Sequence, residues 1–182
     1  MATIDDGAVH VVTTRDIDEV VERCRGAAAV AIDAPSEPAT GRVHDGVRSP
    51  KFSVARCNEI AAGEELGIWV PWVTPTLDAA PEWMRSGFAL WDALRAVGHE
   101  PVEAYPAGCF WQLCGRRWPP KKSTPDGRAA RLALLEPFVG SLDLTSHDHI
   151  DAVMAAVVAR GPHRIVRHTA PGCDSSTLAV LV

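Results

Sequence analysis

Two short apolar runs, one ending at an acidic residue and the other holding one, constrain this chain more than any other feature of it. Ala27 to Ile32 contains no charge and stops at Asp33-Ala34-Pro35, while Pro101 to Tyr105 holds Glu103 and is cut off by Pro106. Short apolar runs bounded by breakers read as strands buried on both faces. Helical patterns surround them. Asp16 to Arg25 places Ile17, Val20, Val21 and Cys24 at helical spacing before Gly26. Glu82 to Val97 does the same with Met84, Phe88, Trp91 and Leu94, and Gly98 follows as a stop. Shorter helices are predicted over Val54 to Ala62, from Gly108 to Leu113 and over Ala129 to Val139. A strong one covers His147 to Ala159, capped by Thr145 or Ser146 and closed by Gly161-Pro162. Ala2 to Asp5 and Ala8 to Thr14 flank Asp6-Gly7, a dipeptide that accepts the positive φ of a tight hairpin turn. Thr177 to Val182 offers a terminal strand. The fold class is therefore α/β.

Ser36 to Lys51 is rich in Pro, Gly and charge and reads as a surface loop, and Trp69 to Pro81 reads as an irregular aromatic connection. With 182 residues, 47% of them hydrophobic, the chain suits one domain spanning 1–182 rather than two. No apolar run approaches membrane-spanning length, and Met1 to His10 lacks a basic-then-apolar leader, so a cytoplasmic protein with no membrane partner is expected. Five scattered cysteines, Cys24, Cys57, Cys109, Cys114 and Cys173, read as reduced and mostly core thiols.

The acids carry the chemistry. Asp33 ends one predicted strand and Glu103 sits in another. Asp148 and Asp151 lie three apart at the start of the last helix, on a face that Ala152, Ala155 and Ala159 continue. Small residues there let the helix approach the sheet, holding both carboxylates near the strand ends where open α/β sheets bind ligands. Crowded carboxylates repel one another and lose hydration, and a divalent cation is the simplest compensation. Oxygen donors without a dedicated Cys or His set favour Mg²⁺ or Mn²⁺, and such ions activate phosphodiesters for hydrolysis. Three of the acids also have a plainer explanation, and Asp151 is less easily dismissed. The helix dipole alone favours Asp148, Asp33 could open a turn, and Glu103 could face solvent on an edge strand.

The net charge of −5 argues against broad nonspecific nucleic-acid binding, so any such contact must be local. Arg116, Arg117, Lys121, Lys122, Arg128 and Arg131 form a basic strip that could meet phosphates, or simply a solvated face. Trp69, Trp72, Trp111 and Trp118 could stack bases, with Trp111 the best suited to the core. Cys109 and Cys114 with His147 and His149 match structural zinc spacing poorly.

The segments Ala31-Ile-Asp-Ala-Pro35, Arg56-Cys-Asn-Glu59, Gly87 to Leu94, Glu103-Ala-Tyr-Pro106 and Asp148-His-Ile-Asp-Ala152, in that order, resemble the motifs of the domain of unknown function 429 family. That family is regarded as a predicted nuclease of ribonuclease-H-like fold. The resemblance implies a mixed sheet flanked by helices. It also implies an acidic metal site of Asp33, Glu103, Asp148 and Asp151 holding Mg or Mn, with Arg56 and Glu59 beside it as substrate-binding residues. The basic strip adds Lys121, Lys122 and Arg128 to that substrate-binding set. Members of this fold begin with a central strand bearing a metal-bridging aspartate. The chain reads as lacking that first strand, through N-terminal truncation or genuine loss. A divalent-metal-dependent nuclease is the leading expectation, and a catalytically inactive binding module of the same fold is the alternative.

Overall fold

In the computed structural model the described residues are 1–161, 163–166, 173 and 177–181. Six α-helices and six short strands are found among them. The opening hairpin forms as expected, β1 Ala2–Asp5 against β2 Ala8–Val11, with Asp6 and Gly7 both at positive φ in the turn. It ends three residues earlier than Thr14. Helix α1, Ile17–Cys24, is capped by the Asp16 carboxylate, which accepts from the N–H groups of Asp18 and Glu19.

The two predicted inner strands shrink to β3, Ala31–Ile32, and β4, Val102–Glu103, which pair in parallel with Ala31 opposite Val102 and Ile32 opposite Glu103. Side chains alternate across a strand, and the packing follows that parity. Ala31 and Val102 touch the main core built on the last helix, whereas Ile32 packs with Cys24, Trp91 and Leu94. Helix α2, Cys57–Leu66, starts later than Val54 because Pro50–Val54 forms a 3-10 turn first. Helix α3, Glu82–Ala96, lies where its apolar stripe predicted. Helix α4, Pro106–Leu113, opens with Pro106 in its first turn. Helix α5, Pro125–Val139, starts four residues before Ala129, capped by Thr124.

The last helix, α6 (His147–Arg160), is the centre of the molecule. Ile150, Val153, Met154, Ala155, Val157 and Val158 are all buried in the main core. The helix packs against β1, β2, β3, α4, α5 and β6. Strand β5, His163–Val166, pairs antiparallel with β6, Leu178–Leu181, and β6 touches β4 through a single parallel bridge between Ala104 and Ala179. The strands therefore form three two-stranded ladders rather than one continuous mixed sheet. Pro162 and Val182, named in the sequence reading, lie outside the described residues.

One reading needs correction. Cys57 and Cys173 form a disulfide with a Cα–Cα separation of 5.7 Å, so those two are not reduced thiols. A pair 116 positions apart leaves no local spacing motif to read. Cys24 and Cys109 are free and buried, as expected of core thiols, and Cys114 is free and half-buried.

Candidate functional site

Parity and register divide the four predicted acids into two groups. Asp33 follows β3 on the side of Ala31, towards α6. Glu103 shares the side of Ile32, where a cleft of about 80 Å³ is lined by Ser36, Trp91, Arg95 and Thr177.

On the Glu103 side the chemistry is closed. Arg56 is 2% exposed and Glu103 5%. The guanidinium meets both carboxylate oxygens, Nη1 to Oε2 at 2.8 Å and Nη2 to Oε1 at 2.5 Å. The Ser36 backbone N–H donates to Oε2 as well, at 2.8 Å. Arg56 also faces Glu59 Oε1 from Nε and Nη2, both at 3.4 Å. Glu59 reaches back to the Arg56 N–H at the start of α2 and accepts from the Thr74 N–H and hydroxyl. Burial disfavours the Arg56 charge, but Glu103 first and Glu59 second reverse this and hold its proton more firmly than usual. Arg56 and Glu59 are thus spent on each other, on Glu103 and on Thr74, and are not presented at a surface as substrate contacts. Their spacing of three along the sequence was the available signal for the pair; nothing in the sequence pointed to Thr74.

Asp33 lies on the other side and is open to solvent. The turn that carries it is braced by α3. Trp91 Nε1 donates to the Ala34 carbonyl at 3.2 Å, and a Cβ on Gly87 would stand 2.9 Å from the Ala34 Cβ, so only glycine allows this approach. Around the carboxylate the protein is dense although water reaches it. Desolvation first and Asp151 second push its pKa up to about 7, with Glu103 and Asp148 adding and Lys122 opposing. Tyr105 adds an acceptor-poor wall. Its buried hydroxyl has no hydrogen-bond partner among the described residues, and burial and then Asp33 raise its pKa.

Asp151 is buried on α6, and Lys122 answers it with Nζ 2.5 Å from Oδ2. Asp148, one turn earlier, is exposed beside His147 Nδ1 at 2.8 Å. Arg131 does not belong to the exposed basic strip. It is buried over the Phe110 ring and donates to the carbonyls of Pro120 and Gly127. Arg128 is half-buried and donates to the Ser123 carbonyl. Arg116, Arg117, Lys121 and Lys122 remain exposed, and exposed Trp118 leans on half-buried Trp111 with ring centres 6.3 Å apart. Trp69 stacks on Phe52, whereas Trp72 is exposed.

Among the described residues no three His, Cys, Asp or Glu side chains converge as a ready metal site. Asp33, Asp148 and Asp151 are oxygen donors of the type a hard dication prefers, but they do not converge as a ligand set. Glu103 does not fit, because Arg56 takes both of its oxygens. No helix among the described residues is long and apolar enough to cross a membrane. No curated protein and no solved structure matches this chain. Residues 1–171 match the family model described as Protein of unknown function (DUF429), and the chain belongs to that family.

Proposed function

We propose that the protein is a metal-dependent phosphodiesterase acting on nucleic acid, with Asp33 and Asp151 at its centre. The observation that supports this reading is the electrostatic coupling of Asp33, at a strand end, to Asp151, on the central helix, beside the exposed Lys122. A carboxylate whose proton affinity is raised by burial and by neighbouring acids, as that of Asp33 is, is one beside which a cation is welcome. Mg²⁺ or Mn²⁺, held by Asp33 and Asp151 with Asp148 in reach, would supply charge neutralisation at the phosphate and a more acidic water. Asp33, open to solvent, is placed to accept a hydrogen bond from that water. Arg116, Arg117, Lys121 and Lys122 would meet backbone phosphates. Arg56 and Glu59 act at one remove: by fixing Glu103 they hold the Ser36 loop beside the strand end that bears Asp33.

A second reading has its own observation. Lys122 and Arg56 already neutralise Asp151 and Glu103, which is how a module that binds without cleaving would store its acids. Cleavage of single-stranded, duplex and branched nucleic acid with Mn²⁺ or Mg²⁺ separates the two. Activity that disappears in Asp33→Asn and Asp151→Asn, with melting curves retained, supports the enzyme. Retained binding without cleavage supports the module. Cleavage indifferent to both changes removes this site from consideration.

A further inference from the structure

The loop after α4 sets an open aromatic ring among cations. Residues 115–124 contain Arg116, Arg117, Lys121 and Lys122 and no acid, in a chain whose net charge is −5. Lys122 is taken by Asp151, whereas Arg116, Arg117 and Lys121 are exposed and make no salt bridge among the described residues. Trp118 stands between them and is 54% exposed. Its position is nevertheless fixed from both ends of the loop. On the α4 side Trp118 leans on Trp111, with ring centres 6.3 Å apart and planes inclined by 50°, and Trp111 packs on the main core. The Arg116 N–H donates to the Trp111 carbonyl and the Gly115 N–H to the Gln112 carbonyl, both at 3.0 Å, closing the helix through two residues at positive φ. On the α5 side Arg131 Nη1 donates to the Pro120 carbonyl at 2.6 Å, and the Thr124 N–H and hydroxyl donate to the Lys121 carbonyl at 3.0 and 2.8 Å. Gly127 lies so close under that carbonyl that a Cβ there would have no room. Pro119 and Pro120 stiffen the span between the two anchors. The loop is a platform that presents one indole and three unpaired cations in a set arrangement.

We propose that this platform binds single-stranded nucleic acid, with Trp118 stacked on a base and Arg116, Arg117 and Lys121 on the neighbouring phosphates. The inference rests on the nucleic-acid part of the reading above and names the form of strand that it would take. Three cations alone would suit any polyanion, and the indole is what narrows the choice. Bases inside a duplex are already stacked on both faces, so a lone surface ring finds no partner there. An unpaired strand offers a free ring face at every nucleotide, and because all bases have one, the stack carries no sequence preference. Guanidinium groups pair well with phosphate oxygens, which suits Arg116 and Arg117 to the flanking backbone. The net negative charge of the whole chain disfavours a strand lying elsewhere, so the contact stays local to this loop. Through Lys122, with Nζ 2.5 Å from Asp151 Oδ2, the platform adjoins the start of α6, so a strand held on it lies beside the acids of that helix.

The test is fluorescence anisotropy of end-labelled oligothymidylate and oligouridylate of about twelve nucleotides, titrated with the whole chain in chelator over a series of salt concentrations. Trp118→Ala should weaken binding about tenfold or more without changing its salt dependence, and Trp118→Phe, which keeps a ring, should retain most of it. Three phosphate contacts predict a slope of log affinity against log salt of about −2, and Arg117→Gln should make it shallower by about 0.7. An abasic strand of equal charge should bind wild type as weakly as oligothymidylate binds Trp118→Ala, and a duplex of the same length should be indifferent to that change. No binding of either single strand, or equal binding of the abasic strand with no effect of Trp118→Ala, would overturn the inference; the second result would leave only a surface for polyanions. Chelator keeps this result separate from cleavage. Trp118-dependent binding by a protein that cleaves nothing with Mn²⁺ or Mg²⁺ would count against the phosphodiesterase and leave the platform standing. Cleavage lost in Asp33→Asn but undiminished in Trp118→Ala, with single strands bound no differently by that variant, would do the reverse.

Discussion

Replacing Arg56 with methionine tests whether the buried ion network holds the fold. The methionine retains an unbranched stem of similar length but removes all five donors. In the native molecule Glu103 is 5% exposed and receives three hydrogen bonds, two from Arg56 and one from the Ser36 N–H. After the change it keeps one. Removing one partner of a buried pair costs about 3–5 kcal/mol, chiefly because the surviving charge is left uncompensated. Glu59 suffers less, since Thr74 still donates to it twice. For a domain of this size each kcal/mol moves the thermal midpoint by roughly 2–4 °C, so a fall of about 6–20 °C is expected. Circular dichroism melts at neutral pH read it directly. Glu103→Gln in the same background should restore a substantial part of the loss by removing the orphaned charge, giving a coupling well above 1 kcal/mol in a double-mutant cycle. A fall of only a degree or two, or a double variant no more stable than Arg56→Met alone, would refute the claim that these charges depend on one another.

Three further outcomes follow from single contacts. Asp33 has its pKa raised from its ordinary 3.8 to about 7, so the folded state binds the extra proton between those limits and stability should fall as pH rises through that window, flattening above it. Asp33→Asn should remove this slope. Thermal melts of both proteins from pH 4 to 8 measure the difference, which solvent around the exposed carboxylate reduces, and parallel curves would contradict the raised value. Gly127→Ala should push the 120–122 backbone off α5 and cost about 1–3 kcal/mol, because the added carbon meets a main-chain carbonyl rather than a flexible side chain. Unchanged urea unfolding would show that the platform is looser than its contacts imply. Cys173→Ser should lower the thermal midpoint, since a link between Cys57 and Cys173 closes a long loop and such crosslinks contribute about 2–4 kcal/mol. Mass spectrometry with thiol labelling checks the bond itself: five labelled cysteines under native, non-reducing conditions followed by denaturation would show that it does not form.

Local chemistry made much of the fold legible. The Asp6-Gly7 hairpin, the helical run that Gly26 follows, the apolar stripe of α3 and the helix that begins at His147 all follow from short-range rules, and all are found close to where those rules place them. The losses come from pairing, which is not local. Ala27 to Val30 satisfies the pattern of a buried strand, yet a strand exists only where a neighbour supplies partners, and the ladder with β4 starts at Ala31. The disulfide and the Thr74 contact are long-range in the same way. Lys122 was visible as a charge, but its attachment to Asp151 depends on how Arg131, Thr124 and Gly127 set the loop, and no window of sequence shows that.

The division of the acids has the same origin and a sharper consequence. Read along the chain, Asp33 and Glu103 are both acids at the end of short apolar strands. In the ladder Ile32 stands opposite Glu103, so Asp33 falls level with residue 104, one step further, and on the opposite face. A carboxylate that joined Asp33 and Asp151 from this strand would have to stand at 104. The chain places Ala104 there, 3% exposed, bridged to Ala179 and packed in the core around α6. Glu103 is thereby committed to Arg56 and the far side of the sheet. What remains on the α6 face is a site of Asp33, Asp151 and Asp148 in which the third carboxylate is exposed and the nearest cation is the chain's own lysine. One residue of register thus decides that Asp33 is coupled to the acids of α6 while Glu103 is held by Arg56, and that the cation opposing the charge of Asp33 is Lys122.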